Sequence, residues 1–164
     1  MPTLHVLRHA KSDRGAPVAD HDRPLAPRGL AAAPRIGDAL EAAGGTALVL
    51  SSTATRAAQT ADLVVARLSR PPEVRYEAAL YHAGPAGLLE RLHALDAATP
   101  SVLLVGHNPS VASLVLTLAD EEVAGRLGKF PTAALATLEV GGPWAALQPG
   151  GARLTDYVTP RDLD

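Results

Sequence analysis

Three short apolar runs, each leading into a helical pattern, limit what this chain can fold into. They are Thr3–Leu7, Thr46–Leu50 and Ser101–Val105. The last is an uninterrupted valine and leucine run, the mark of a strand buried on both faces of a parallel sheet. The first run is followed by a helical stripe of Leu30, Ala33, Gly37, Leu40 and Ala43 within residues 29–43. After the second comes Ala57, Ala61, Val64, Val65 and Leu68 within 53–68, and after the third Val111, Leu114, Val115 and Leu118. Each stripe has the spacing of one helix face. Repeated strand–helix units with short right-handed crossovers make the strands parallel. Two later runs, Ala133–Val140 and Ala152–Val158, are punctuated by Gly141-Gly142-Pro143 and Pro149-Gly150-Gly151 and read as an antiparallel edge. The expected class is therefore α/β, with three α/β/α layers around a mostly parallel sheet. At 164 residues, residues 1–164 form a single domain.

Breakers and caps set the finer expectations. Pro34 predicts a kink or late start in the first helix, and Gly44-Gly45 its end. Ser52 or Thr53 suits an N-cap of the second helix. Asn108 and Pro109 suit the cap and first position of a later one. Pro71-Pro72 breaks the chain before a short strand at Glu73–Tyr76, and residues 79–83 read as a loop or brief extended piece. Pro85 opens a helix striped by Leu88, Leu89, Leu92 and Leu95, with His93 off the stripe and solvated. Residues 121–131 read as a polar connection and 159–164 as a polar tail. Trp144 reads as packing. The long stretch from Lys11 to Pro27 has no period and sits where a flap over a site would.

Composition closes several routes. A net charge of −2 gives no basic field for nucleic acid. No cysteine is present, which excludes disulfides and thiol chemistry. No run nears the roughly 18 apolar residues of a membrane helix, and the start lacks the pattern of a signal peptide. A cytoplasmic, monomeric enzyme or binding protein, with neither nucleic acid nor membrane as partner, is expected.

The chemistry gathers at strand ends. Arg8-His9-Ala10-Lys11-Ser12 follows the first run, Ser51-Ser52 with Arg56 the second, and Gly106-His107-Asn108-Pro109-Ser110 the third. Parallel strands deliver their carboxyl ends to one edge, where open α/β sheets bind ligands. Arginine offers planar donors to a phosphate, and histidine acts as nucleophile or base near neutrality. Arg56 would oppose its helix dipole unless an anion shares the place. Two arginines and two histidines facing one cleft describe a phosphate site. The absence of a glycine-rich phosphate loop argues against a nucleotide-hydrolysing ATPase. A metal site using His5, His9, His21 and His107 with nearby aspartates is the weaker alternative, because the arginines would repel a cation.

These three motifs, in this order and spacing, resemble the histidine phosphatase superfamily (branch 1). The Arg-His-Ala-Lys-Ser form, with Arg23-Pro24-Leu25 and Gly29, is most similar to its small SixA-type phosphohistidine phosphatases. The resemblance implies a phosphoglycerate-mutase-like fold and a metal-independent, cofactor-free hydrolase. It implies His9 as a nucleophile carrying a covalent phosphoryl group. Arg8, Arg56 and His107 would hold the equatorial oxygens, with His107 protonated beside the phosphate. Lys11, Ser12 and Arg23 are further candidates for phosphate or substrate binding. Larger relatives use a glutamate as general acid; the stretch 77–84 offers Glu77 or His82 here, or neither. The imidazole of a phosphoramidate needs less protonation to leave than an alkoxide does, so a phosphorylated protein carrying phosphohistidine is the expected substrate. A small phosphorylated molecule, or a non-catalytic phosphate-binding module, is the alternative.

Overall fold

In the computed structural model, which describes residues 1–119, 125 and 127–164, six strands form one sheet. The elements are β1 (Thr3–Arg8), α1 (Pro27–Ala42), β2 (Leu48–Ser52), α2 (Thr55–Val65), β3 (Glu73–Glu77), α3 (Ala79–His82), α4 (Pro85–His93), β4 (Ser101–Gly106), α5 (Ser110–Leu118), β5 (Leu135–Val140) and β6 (Ala152–Val158). Strand order is β3-β2-β4-β1-β5-β6. The first four pair in parallel, whereas β5 runs antiparallel to β1 and β6 antiparallel to β5. The α/β class with its antiparallel edge is thus as the sequence implies.

Alternation along the strands builds two cores. Leu4, Val6, Leu50, Val102 and Leu104 pack with Leu88 and Leu92 of α4 and Leu114 of α5. Leu7, Val49, Leu103 and Val105 pack on the other face with Ile36 and Leu40 of α1 and Ala57, Ala61 and Val64 of α2. Burial of a leucine of this kind is worth about 1.5–3 kcal/mol. Trp144 is fully buried and donates its indole N–H to the Thr99 carbonyl. No helix among the described residues is long and apolar enough to cross a membrane.

Several local expectations are corrected. Helix α1 starts at Pro27, where a missing N–H costs nothing, and runs through Pro34; it has no late start. Neither Ser52 nor Thr53 caps α2: both serines 51 and 52 lie within β2 and the cap position is Ala54. Asn108 does not cap α5, whose cap position is Pro109, because its amide donates to the Phe130 carbonyl instead. Residues 79–82 form one helical turn. His93 is half-buried and bonded to the Leu147 carbonyl. The tail holds a 3-10 turn over 160–163, closed by a Thr159–Asp162 capping box. The connection expected over 121–131 falls partly outside the described residues.

Two backbone contacts position the site. A Cβ at Gly29 would stand 2.2 Å from the Lys11 carbonyl oxygen, so only glycine lets α1 approach the segment after His9. Ala133, at φ 61°, forks its N–H to the Arg8 and His9 carbonyls. A non-glycine residue in that conformation carries strain of about 1 kcal/mol or more. The forked bond fixes both carbonyls at the carboxyl end of β1.

Candidate active site

The carboxyl ends of β1, β2 and β4 converge. Arg8 pairs in register with Gly106, and Ser51 with Val105. A cavity of about 700 Å³ opens there, lined by Arg8, His9, Lys11, Ser12, Arg23, Arg56 and His107, with Phe130 and Thr132 beyond. The rings of His9 and His107 lie 5.2 Å apart. A wider hollow of about 1120 Å³ lies at the other end of the sheet against Val140, Gly150 and Gly151. It holds none of these residues.

His9 is held by its neighbours. Its backbone N–H donates to the Gly106 carbonyl, and its Nδ1 lies 2.8 Å from the Ala10 carbonyl. A carbonyl only accepts, so Nδ1 carries the proton and Nε2 keeps its lone pair. Thr60, fully buried on α2, accepts the Ala10 N–H at 3.0 Å and donates to the Arg56 carbonyl at 2.7 Å. One hydroxyl therefore ties the segment after His9 to the turn carrying Arg56.

The donors around His9 are only partly used. Arg8 gives Nη1 to the Phe130 carbonyl, which Asn108 shares. Arg56, 6% exposed, gives Nη1 and Nη2 to the carbonyl and carboxylate of Asp20. His107 Nε2 contacts the Ser52 hydroxyl at 2.8 Å. Arg8 Nε, Arg56 Nε, His107 Nδ1 and the Asn108 Oδ1 acceptor are buried without a hydrogen-bond partner among the described residues. Each such group costs about 1–3 kcal/mol unless a ligand meets it. Three of them on three cationic or imidazole side chains fit a tetrahedral oxyanion.

A family model for the histidine phosphatase superfamily (branch 1) matches residues 4–84. A SixA protein of Nakamurella multipartitia is 32% identical, with TM-score 0.84 over 97% of this chain and 96% of that one. The chain belongs to the histidine phosphatase superfamily. It is of the SixA type, with the phosphoglycerate-mutase-like fold of that group. A protein histidine phosphatase SixA solved with tungstate is 25% identical, with TM-score 0.80 over 99% of both chains. The uncharacterised Rv1276c of Mycobacterium tuberculosis is 41% identical over 94% of this chain and its own full length. Membership gives the class of activity: a phosphatase, hence a hydrolase acting on phosphorylated substrates.

In this histidine phosphatase the segment 11–27 is strapped down. Ser12 bridges Leu25, and the Leu25 N–H donates to Gln59. Arg23 donates to the Ser12 hydroxyl at 2.8 Å and to Asp20 at 3.0 Å. Asp20 also accepts the Tyr81 hydroxyl, while His21 reaches Thr53 at 2.8 Å. The anion sharing the place of Arg56 is thus a carboxylate from the flap. The Tyr81 hydroxyl, then Arg23 and Arg56, hold the Asp20 carboxyl well below the usual carboxylate range.

Of the other candidates, Lys11 lines the cavity but Glu77 and His82 do not. Glu77 is paired with Arg91 at 2.7 Å, and His82 is exposed with its ring against Tyr81. His5 is buried and contacts Thr137 at 2.9 Å, away from His9. Among the described residues no group of three or more His, Asp or Glu is gathered to ligate a metal. Sequence reasoning missed Asp20, Thr60 and Tyr81. Thr60 had a signal, a hydroxyl four residues after Arg56 on the buried face. Tyr81, whose ring lies 5.5 Å from that of His107, had its place just past a strand's carboxyl end.

Burial, then the nearby charges of His107, Arg56 and Arg8, pushes the His9 imidazole down to about 3. Burial followed by Arg56 pushes His107 down to about 4. In the free protein both rings are therefore neutral, whereas the protonated His107 expected from sequence refers to the phosphate-bound site. Burial also lowers His5 to about 4. All three protonate near 6.5 once unfolded. Below pH 6.5 the unfolded chain binds more protons than the native one, so stability falls as pH drops toward 4. Chemical denaturation is expected to give a protein less stable at pH 5 than at pH 7 by at least about 2 kcal/mol. Equal stability, or an imidazole of His9 titrating near 6.5 by NMR, contradicts this electrostatic picture.

Proposed function

We propose that this chain is a metal-independent phosphatase that works through a covalent phosphohistidine at His9 and acts on phosphohistidine in proteins. The observation that carries the reading is that His9, its Nδ1 given to the Ala10 carbonyl, shares one cavity with Arg8, Arg56 and His107. Nε2 attacks phosphorus, and the bond from phosphorus to the substrate's ring nitrogen breaks. That electron pair stays on the departing imidazole, which takes a proton from solvent. The two guanidiniums meet the negative charge on the equatorial oxygens. Water then attacks the phosphoryl group, the bond to Nε2 breaks, and inorganic phosphate leaves. A dianion bound beside His107 favours its protonated form during these steps. That a SixA relative was solved with tungstate, a tetrahedral oxyanion, supports a phosphoryl substrate.

The leaving group follows from the surroundings. Among the described residues no carboxylic acid lines the cavity. Glu77 is held by Arg91, and the Tyr81 hydroxyl is committed to Asp20, which raises its pKa. An alkoxide needs a strong acid to leave and an imidazole does not. Turnover of a phosphohistidine peptide is expected to exceed that of a sugar phosphate by about 10²-fold or more in kcat/KM. Preference for the sugar phosphate would replace this reading with that of a small-molecule phosphomonoesterase.

A further inference from the structure

Beside the phosphate cavity lies a second one of about 600 Å³, and the two share Lys11, Pro131 and Thr132. Arg28, Arg35 and Arg161 join Lys11 in its wall. The one carboxylate there among the described residues is Asp164, and Arg35 takes it at 2.7 Å. Arg28 and Arg161 are exposed and form no ion pair with any described residue. Arg67, Arg75, Arg91 and Arg153 each have a carboxylate, whereas Arg14 and Arg70 are also without one among the described residues but stand outside this cavity. Helix stability does not explain Arg28 either. It stands in the first turn of α1, which holds no acidic residue, and a cation there opposes the helix dipole. This cationic surface belongs to a chain whose net charge is −2.

We infer that this second cavity seats an acidic stretch of the phosphorylated protein, close in sequence to the residue being dephosphorylated. The inference rests on the phosphoprotein reading above. Because the cavities meet at Lys11, a polypeptide leaving the phosphoryl site passes directly from one into the other. Ala31, Ala32 and Pro160 line it between the cations. Such a mixed wall suits peptide backbone and aliphatic stems, whereas a free polyphosphate would be better served by donors throughout. Complementary charge at this kind of exposed surface selects partners and speeds encounter.

The test uses two phosphohistidine peptides, one flanked by Asp and Glu and one by Ser and Gly, with an aryl phosphate alongside. The wild-type protein is expected to show a KM about fivefold lower for the acidic peptide, as two exposed ion pairs give, with the advantage shrinking at high salt. In the R28E/R161E variant that advantage disappears. Both positions are exposed and a glutamate at position 28 suits the helix dipole, so the melting temperature does not fall and aryl phosphate turnover is unchanged as the preference is lost. Equal KM values for both peptides in the wild type, or a preference that survives in the variant, overturns the inference alone. So does pyrophosphate inhibition that the variant abolishes with no peptide preference, which would make the cavity a site for a small polyanion. Turnover of the aryl phosphate with neither peptide hydrolysed overturns the phosphoprotein reading and this inference together.

Discussion

Replacing His9 by alanine is expected to lower kcat by about 10⁴-fold or more, because no second nucleophile can take its place. Among the described residues His107 is the only other imidazole in the cavity, and its Nε2 is engaged by Ser52. The fold should persist. The His9 side chain has one hydrogen bond, to its neighbour's carbonyl, and the backbone bond to Gly106 does not depend on the ring. A steady-state assay with an activated aryl phosphate, beside a melting curve, checks both halves. Activity within tenfold of wild type removes His9 from the reaction. A wild-type protein that binds phosphate tightly and turns over nothing would make the site a binding module.

Arg56 carries the second largest expected effect. Its guanidinium is buried, fixed by Asp20 through two nitrogens, and left with Nε unpartnered. Arg56→Ala removes a donor that strengthens as charge builds on the phosphoryl oxygens, and kcat/KM should fall by about 10²–10³-fold. Lysine does not restore it, because a point charge cannot hold Asp20 and an oxyanion with one planar fork. The Asp20 carboxylate is exposed enough to rehydrate, so the loss is one of rate more than of stability. The flap, released from its strap, should also become more open to proteolysis. A loss smaller than tenfold would mean that Asp20 alone is the partner of Arg56.

How much of this was legible beforehand depended on distance along the chain. Strand runs such as Ser101–Val105 and stripes such as Val111, Leu114, Val115 and Leu118 announce themselves through period. The meeting of Arg8-His9, Arg56 and His107 then follows from parallel strands ending on one edge. Side-chain partners did not follow. Asp20 reaches Arg56 across 36 positions from a stretch with no period, and nothing local marks it as an anion for that guanidinium. Asn108 has the chemistry of a cap, yet a tertiary carbonyl at Phe130 outcompetes the helix for its amide. Burial was equally hidden: the low pKa of His107 comes from what covers it, and its own motif gives no sign of that.

Nε2 of His9, freed because Nδ1 is given to the Ala10 carbonyl, is the atom proposed to take the phosphoryl group. Rapid quench of wild-type protein turning over substrate, followed by ³¹P–¹⁵N correlation on ring-labelled histidine, reads that atom directly. A phosphoryl group bonded to Nε2 of residue 9 is the predicted result. A signal on Nδ1, on His107, or on no histidine while turnover proceeds would contradict the account.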